Sequence, residues 1–274
     1  MNKAIGMLVM LAGVAVLAGG CAGSSHKAGK WRAMSMQEMK LVWADEFDKE
    51  GAPDPEKWKP EVGMLRNNEL QYYTANRKEN ARVEGGMLVL EARKEPWEKA
   101  GYTSASLTTA GKASWTCGRF EIRAKIPYGR GMWPALWMLG DSINKIGWPA
   151  CGEIDIMENV GYDPGHIYCT VHTKAYNHVL KTQRGGQFDI ATPSADFHVY
   201  AVDWTSREIV FYFDGEVVYQ FANEGKGEDT WPFDHPCYLL LNIAVGGGWG
   251  GIEGVDDSIF PQRMLVDYVR VYQR

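Results

Sequence analysis

A chain of 274 residues, 45% hydrophobic and 23% charged, with a formal net charge of -5, can bury one large core and has the balance of a soluble globular protein. Without a basic surplus it lacks the electrostatic footprint of a nucleic-acid binder. Its 11 Trp and 13 Tyr exceed what a core of this size usually needs; flat apolar rings with a polar edge serve a core or the face of a sugar equally well.

The chain opens with MNKAIGMLVMLAGVAVLAGGCAGSS: one Lys, an apolar run, small residues and then Cys21, which is the pattern of a signal peptide. Its end resembles a bacterial lipoprotein signal. That predicts a signal over 1–21, lipidation of Cys21, a flexible tether over 22–35 and a folded domain over 36–274. The protein would then sit in the bacterial cell envelope, held to a membrane by its lipid and facing the periplasm or the surface. Ala18 stands where Leu is commoner in such signals, so plain secretion or an uncleaved anchor is the alternative.

From Leu41 onward short apolar or alternating runs follow one another: MLVLEAR, GRFEIRAKIP, PALWMLG, EIDIME, HIYCTVHT, HVYAVDWT, EIVFYFDG, YLLLNIAVGG and LVDYVRVYQ. Gly, Pro, Asn and Asp separate them, and helical periodicity is nearly absent, so they read as strands. Asp214-Gly215 between FYF and EVVYQF predicts a two-residue hairpin turn. Many short strands with turns between them give an all-β sandwich or barrel in one domain. Cys117, Cys151, Cys169 and Cys237 lack metal-site spacing and are too few for a disulfide framework in a domain this large, so they are expected to be buried thiols.

The segment GEIDIMENVG concentrates Glu153, Asp155 and Glu158 among apolar residues. On a strand Glu153 and Asp155 share one face while Ile154 and Ile156 point into the core. Strict alternation would then bury Glu158, at a large cost for an unpaired carboxylate. A bulge between Asp155 and Glu158 inserts one residue and returns all three acids to one face. The two Glu backbones then lie roughly 13 Å apart, and the side chains must lean together to reach the roughly 5 to 5.5 Å of a retaining glycosidase; an inverting pair at roughly 6.5 to 9.5 Å is the alternative. Crowded carboxylates hold one another's protons, as acid catalysis requires, although a solvated acidic edge or a calcium site also gathers acids.

Residues suited to sugars surround the acids. Trp133 and Trp137 share parity, Trp148 precedes the acid strand, and Trp249 lies in GGGWGG. Arg119, Glu121 and Arg123 alternate onto one strand face, where cross-strand ion pairs are the plainer reading. Asn67, Asn68 and Gln71 fall in a polar loop, and His172 ends CTVHT.

Together with DEF, NNELQYYT, YTSASL, FHVYAVDW and WPFDHPCYLLLNIAVGGGW, these motifs resemble, in order and over nearly the whole mature chain, the bacterial laminarinases, endo-β-1,3-glucanases of glycoside hydrolase family sixteen. The resemblance implies a concanavalin A-like β-jelly-roll of two curved antiparallel sheets with a cleft on the concave face. It implies retaining cleavage of β-1,3-glucan without an organic cofactor, by a monomer. It makes Glu153 the nucleophile, Glu158 the general acid/base and Asp155 their assistant, with substrate contacts at Asn67, Arg119, Glu121, Arg123, Trp133, Trp137, Trp148 and His172. It also implies a structural calcium ion on the convex side, held by Glu46, the Gly86 carbonyl and Asp267. Cys117 replaces a Tyr common in relatives, and GGGWGG departs from their Gly-Gly-Asn-Trp-Pro-Gly. Mixed-linkage glucan or galactan hydrolysis is the nearest rival, and a non-catalytic carbohydrate-binding surface protein is the rival from another class.

Overall fold

The computed structural model describes residues 39–191 and 193–274. The signal, Cys21, the tether and the domain start at Met36 lie outside the described residues. Among the described residues, no helix is long and apolar enough to cross a membrane. Among the described residues the helical elements are one turn, Ile143–Ile146, and one 3-10 turn, Asp257–Ile259.

One sheet has ten strands. From its edge the order is Glu216–Ala222, Glu208–Phe213, His198–Trp204, Gly118–Lys125, Gln262–Gln273, Met87–Trp97, Ala100–Ser104 and Gln71–Tyr73, with Lys40–Asp45 and Ala81–Glu84 added alongside. The other has seven: Arg184–Asp189, His166–His172, Glu153–Glu158, Met132–Gly140, Cys237–Val245, Ser106–Thr108 and Lys59–Pro60. Neighbours far apart in sequence lie side by side, as a jelly roll requires. The expected antiparallel pairing has one exception: Gln71–Tyr73 runs parallel to Ala100–Ser104.

Period-2 alternation builds the core. Phe120, Ile122 and Ala124 from the larger sheet and Ile154, Leu136, Met138, Leu239 and Leu241 from the smaller are all fully buried between the two. The Asp214-Gly215 turn forms as the dipeptide predicts, both residues taking positive φ (48° and 87°), which matches the right-handed twist of the strands it joins. Among the described residues Cys117, Cys151, Cys169 and Cys237 are free thiols, the last three buried and Cys117 half-buried.

The acid strand belongs to the smaller sheet, between His166–His172 and Met132–Gly140. Against Met132–Gly140, Asp155 pairs with Trp137, Met157 with Leu136 and Glu158 with Ala135, so Ile156 is the extra residue. Ile156 and Met157 both enter the core, 2% and 0% exposed. Met157→Ala is therefore expected to cost about 2 to 5 kcal/mol, seen as a lower urea midpoint with little change in slope.

Candidate active site

The bulge turns Glu153, Asp155 and Glu158 to the outer face of the seven-stranded sheet, away from the core that holds Ile154, Ile156 and Met157. Beneath them Ala135, Trp137, Leu139, Cys151, Tyr238 and Leu240 form a second apolar cluster, which is the floor of the site.

Each glutamate receives an indole N–H. Trp148 donates to Glu153 Oε2 at 3.0 Å, and Trp133 donates to Glu158 Oε1 at 2.9 Å. His172, opposite Glu153 on the neighbouring strand, places Nε2 3.4 Å from Asp155 Oδ2 and 3.7 Å from Glu153 Oε1. Asp155 Oδ2 and His172 Nδ1 are buried without a hydrogen bond. Aromatic rings extend the site beyond both glutamates. Trp148 lies against His172 and His178, with ring centres 5.8 and 4.9 Å away. Trp249 meets Trp133 at 5.6 Å and Tyr168 at 5.0 Å, edge to face.

Trp137 lies in the floor, 7% exposed. Its N–H donates to Asn242 Oδ1 at 2.7 Å, and the Arg66 guanidinium stacks over its ring at 5.0 Å. Asn242 in turn donates to the Tyr73 hydroxyl at 3.1 Å, and that hydroxyl donates to Glu69 Oε2 at 3.1 Å. Glu69 also accepts from Gln71 at 2.6 Å and from Asn67 at 3.2 Å. Asn67 thus sits at the rim of the floor, its backbone carbonyl accepting the Gly248 N–H at 2.9 Å. The GGGWGG loop closes against Trp133 because a Cβ at Gly250 would stand 2.8 Å from that of Trp133.

Arg119, Glu121 and Arg123 lie elsewhere. They alternate with Phe120, Ile122 and Ala124 in the ten-stranded sheet and therefore project from its outer face, on the far side of the core from the acids. Arg119 is held by Glu121 (2.7 Å) and Asp203 (2.8 Å), and Arg123 by Asp267 (2.6 Å). The substrate contacts expected of them are thus corrected to structural ion pairs; alternation names a face but not a sheet. The proposed calcium ligands are brought near one another, since Lys40–Asp45 and Met87–Trp97 flank the same side of Gln262–Gln273 on either side of Asp267. Both acids nevertheless face arginines: Glu46 binds Arg270 through two contacts of 2.8 Å, and Asp267 binds Arg123.

Arg66, Asn242, Tyr168, His178 and Glu69 escaped the sequence reading. Asn242 carried a signal, as the lone polar residue of YLLLNIAV. The others are joined to the acids only by tertiary contacts.

Burial dominates the electrostatics. It raises the carboxyls of Glu153 and Glu158, the latter's charge adding to the effect on Glu153, and the pair gives up its protons in steps near 8 and near 7. Asp155 is pushed well above the carboxylate range by burial and then by both glutamates. The Trp148 N–H and the Arg66 charge both favour ionised Glu153, whereas Glu158 has only the Trp133 N–H. Between about 7 and about 8 the pair therefore shares one negative charge and one proton, and the two glutamates differ in the groups that stabilise that charge. Burial and the nearby His178 depress His172 to about 4, leaving it neutral at pH 7. The site offers one nucleophilic carboxylate and one protonated carboxylic acid on the same face, the equipment for acid-assisted displacement at a sugar carbon.

Comparison with known proteins agrees with this chemistry. The Glycosyl hydrolases family 16 model matches residues 68–270. The chain is 55% identical over 258 residues to a beta-glucanase of Rhodothermus marinus, covering 91% of this chain and 87% of that one. The solved laminarinase of Rhodothermus marinus superposes with a TM-score of 0.84 at 55% identity, over 86% of this chain and 97% of that chain. SCLam, a non-specific endo-beta-1,3(4)-glucanase, superposes with a TM-score of 0.83 at 51% identity, over 86% and 92% of the two chains. By this evidence the chain belongs to glycosyl hydrolase family 16 and is a glycoside hydrolase.

Proposed function

We propose that the protein is a retaining endo-glucanase that cleaves β-1,3-glucosidic bonds in laminarin-like glucans. The observation that carries the reading is the bulge at Ile156, which sets Glu153, Asp155 and Glu158 on one face. Glu158 gives its proton to the glycosidic oxygen as Glu153 attacks the anomeric carbon, so the sugar becomes bonded to the Glu153 carboxylate and the other glucan portion leaves as an alcohol. Glu158, now ionised, takes a proton from water; the hydroxide displaces Glu153 and restores the anomeric configuration. Asp155, protonated between the two, steadies the charge on Glu153. Trp133, Trp148 and Trp249 supply ring faces for the glucan, with Asn67 and His172 as polar contacts.

Likeness to a non-specific endo-beta-1,3(4)-glucanase supports a second reading in which β-1,4 links of mixed-linkage glucan are also accepted. The Cys21 pattern supports anchoring in the cell envelope by lipid, with secretion as the alternative. A calcium ion would have to take Glu46 from Arg270 and Asp267 from Arg123, with the Gly86 carbonyl completing the protein ligands.

Release of reducing ends from laminarin is the first test. Glu153→Gln and Glu158→Gln are each expected to lower kcat by at least about a thousandfold while laminarin binding persists; binding without cleavage by the wild type would replace this reading with a binding module. In the pH profile, kcat/KM is expected to fall below about 7, where both glutamates hold protons, and above about 8, where neither does. An aryl glycoside whose leaving group needs no proton is expected to lose the alkaline limb in the glycosylation step. Chelation by EDTA is expected to lower the thermal midpoint by a few degrees if calcium is held at Glu46 and Asp267; an unchanged midpoint assigns both acids to their arginines alone.

A further inference from the structure

The role given to Glu153 leaves unexplained why a neutral, buried imidazole stands beside two carboxyls with no hydrogen bond of its own. Glu153, Asp155 and His172 each offer one ligand atom, and the three atoms lie within 4.8 Å of one another. His172 Nε2 is 3.4 Å from Asp155 Oδ2 and 3.7 Å from Glu153 Oε1. Ligands bound at about 2.0 to 2.2 Å to a tetrahedral ion stand about 3.3 to 3.6 Å apart, so these two separations nearly match the edges of such a site. Asp155, 3% exposed, carries the buried Oδ2 without a hydrogen-bond partner, and that atom faces His172. One imidazole and two carboxylates form a mixed nitrogen and oxygen set that suits zinc, copper or nickel better than calcium or magnesium, which favour oxygen alone.

We propose that Glu153, Asp155 and His172 bind one divalent transition-metal ion, with Zn2+ as the representative, and that the bound ion closes the active site reversibly. Binding releases the Asp155 proton, and any held by Glu153, to solvent and draws both carboxylates and the imidazole onto one centre. Because the bound cation draws electron density from the Glu153 carboxylate and fixes it away from the anomeric carbon, the nucleophile is disabled, and hydrolysis stops until the ion leaves. The ion's fourth position faces the site, where the glucan would otherwise lie, so sugar and metal exclude each other. The inhibitory consequence rests on the nucleophile role of Glu153, whereas the binding itself does not.

The test is calorimetric titration of ZnCl2 into the full chain, freed of metal beforehand, alongside laminarin hydrolysis at increasing Zn2+. Binding of one ion per chain is expected, weakened by laminari-oligosaccharide, with inhibition competitive against laminarin and reversed by a zinc chelator. His172→Gln and Glu153→Gln, each checked for a native circular dichroism spectrum, are expected to weaken Zn2+ binding by about tenfold or more. Two variants keep the test decisive where one fails to fold. The half-exposed group of His166 with Asp163 and Asp189 is the internal control, and His166→Gln is expected to leave binding unchanged. Undiminished binding in both site variants, loss of binding in His166→Gln, or absence of binding in the wild type would overturn the proposal. Zn2+ binding at this site in a protein that does not cut laminarin would instead overturn the glucanase reading and leave the metal site standing.

Discussion

One surplus residue in one strand governs the chemistry of this molecule. A regular ladder through Ile156 and Met157 would send the Glu158 carboxylate into a core of Ile, Leu and Val and leave Met157 outside. Two residues opposite Leu136 reverse that outcome, burying both apolar side chains and releasing the acid. The local hydrophobic gain and the placement of the acid/base are thus one event. The energy of the core enforces the geometry of the site, which is why the acids rest on a strand packed from both sides and not on a loop.

The same burial tunes the acids. A carboxylate in open water would ionise far below neutrality and would be a poor proton donor at pH 7. Here an apolar floor of Trp137, Leu139, Tyr238 and Leu240 and the closeness of like charges push the protons on, while two indole N–H groups and Arg66 let one charge exist. The glutamates differ little in sequence surroundings, and their partners separate them: Trp148 and Arg66 for one, Trp133 for the other.

The tryptophans divide along the same lines. Trp58, Trp115, Trp204 and Trp231 are buried in the main core. Trp133, Trp148 and Trp249 stand half-buried around the acids, and Trp137 does both, supporting the floor while its N–H secures Asn242. An aromatic-rich composition thus reflects two demands at once, a thick sandwich core and a flat lining for a sugar chain.

Much was decided by the sequence alone. The strand pattern, the Asp214-Gly215 turn, the shared face of the three acids and the need for a bulge all follow from local rules, because side-chain parity, turn conformation and the cost of a buried charge act over a few residues. Tertiary structure decided the rest. Parity told that Arg119, Glu121 and Arg123 share a face, but only strand order showed that the face belongs to the sheet remote from the acids, where Asp203 and Asp267 hold two of them. Nothing local joins Arg66 to Trp137, Asn242 to Tyr73 or His172 to Asp155. Those contacts exist because a jelly roll sets strands far apart in the chain beside one another, and alternation along one strand carries no information about which strand will be its neighbour.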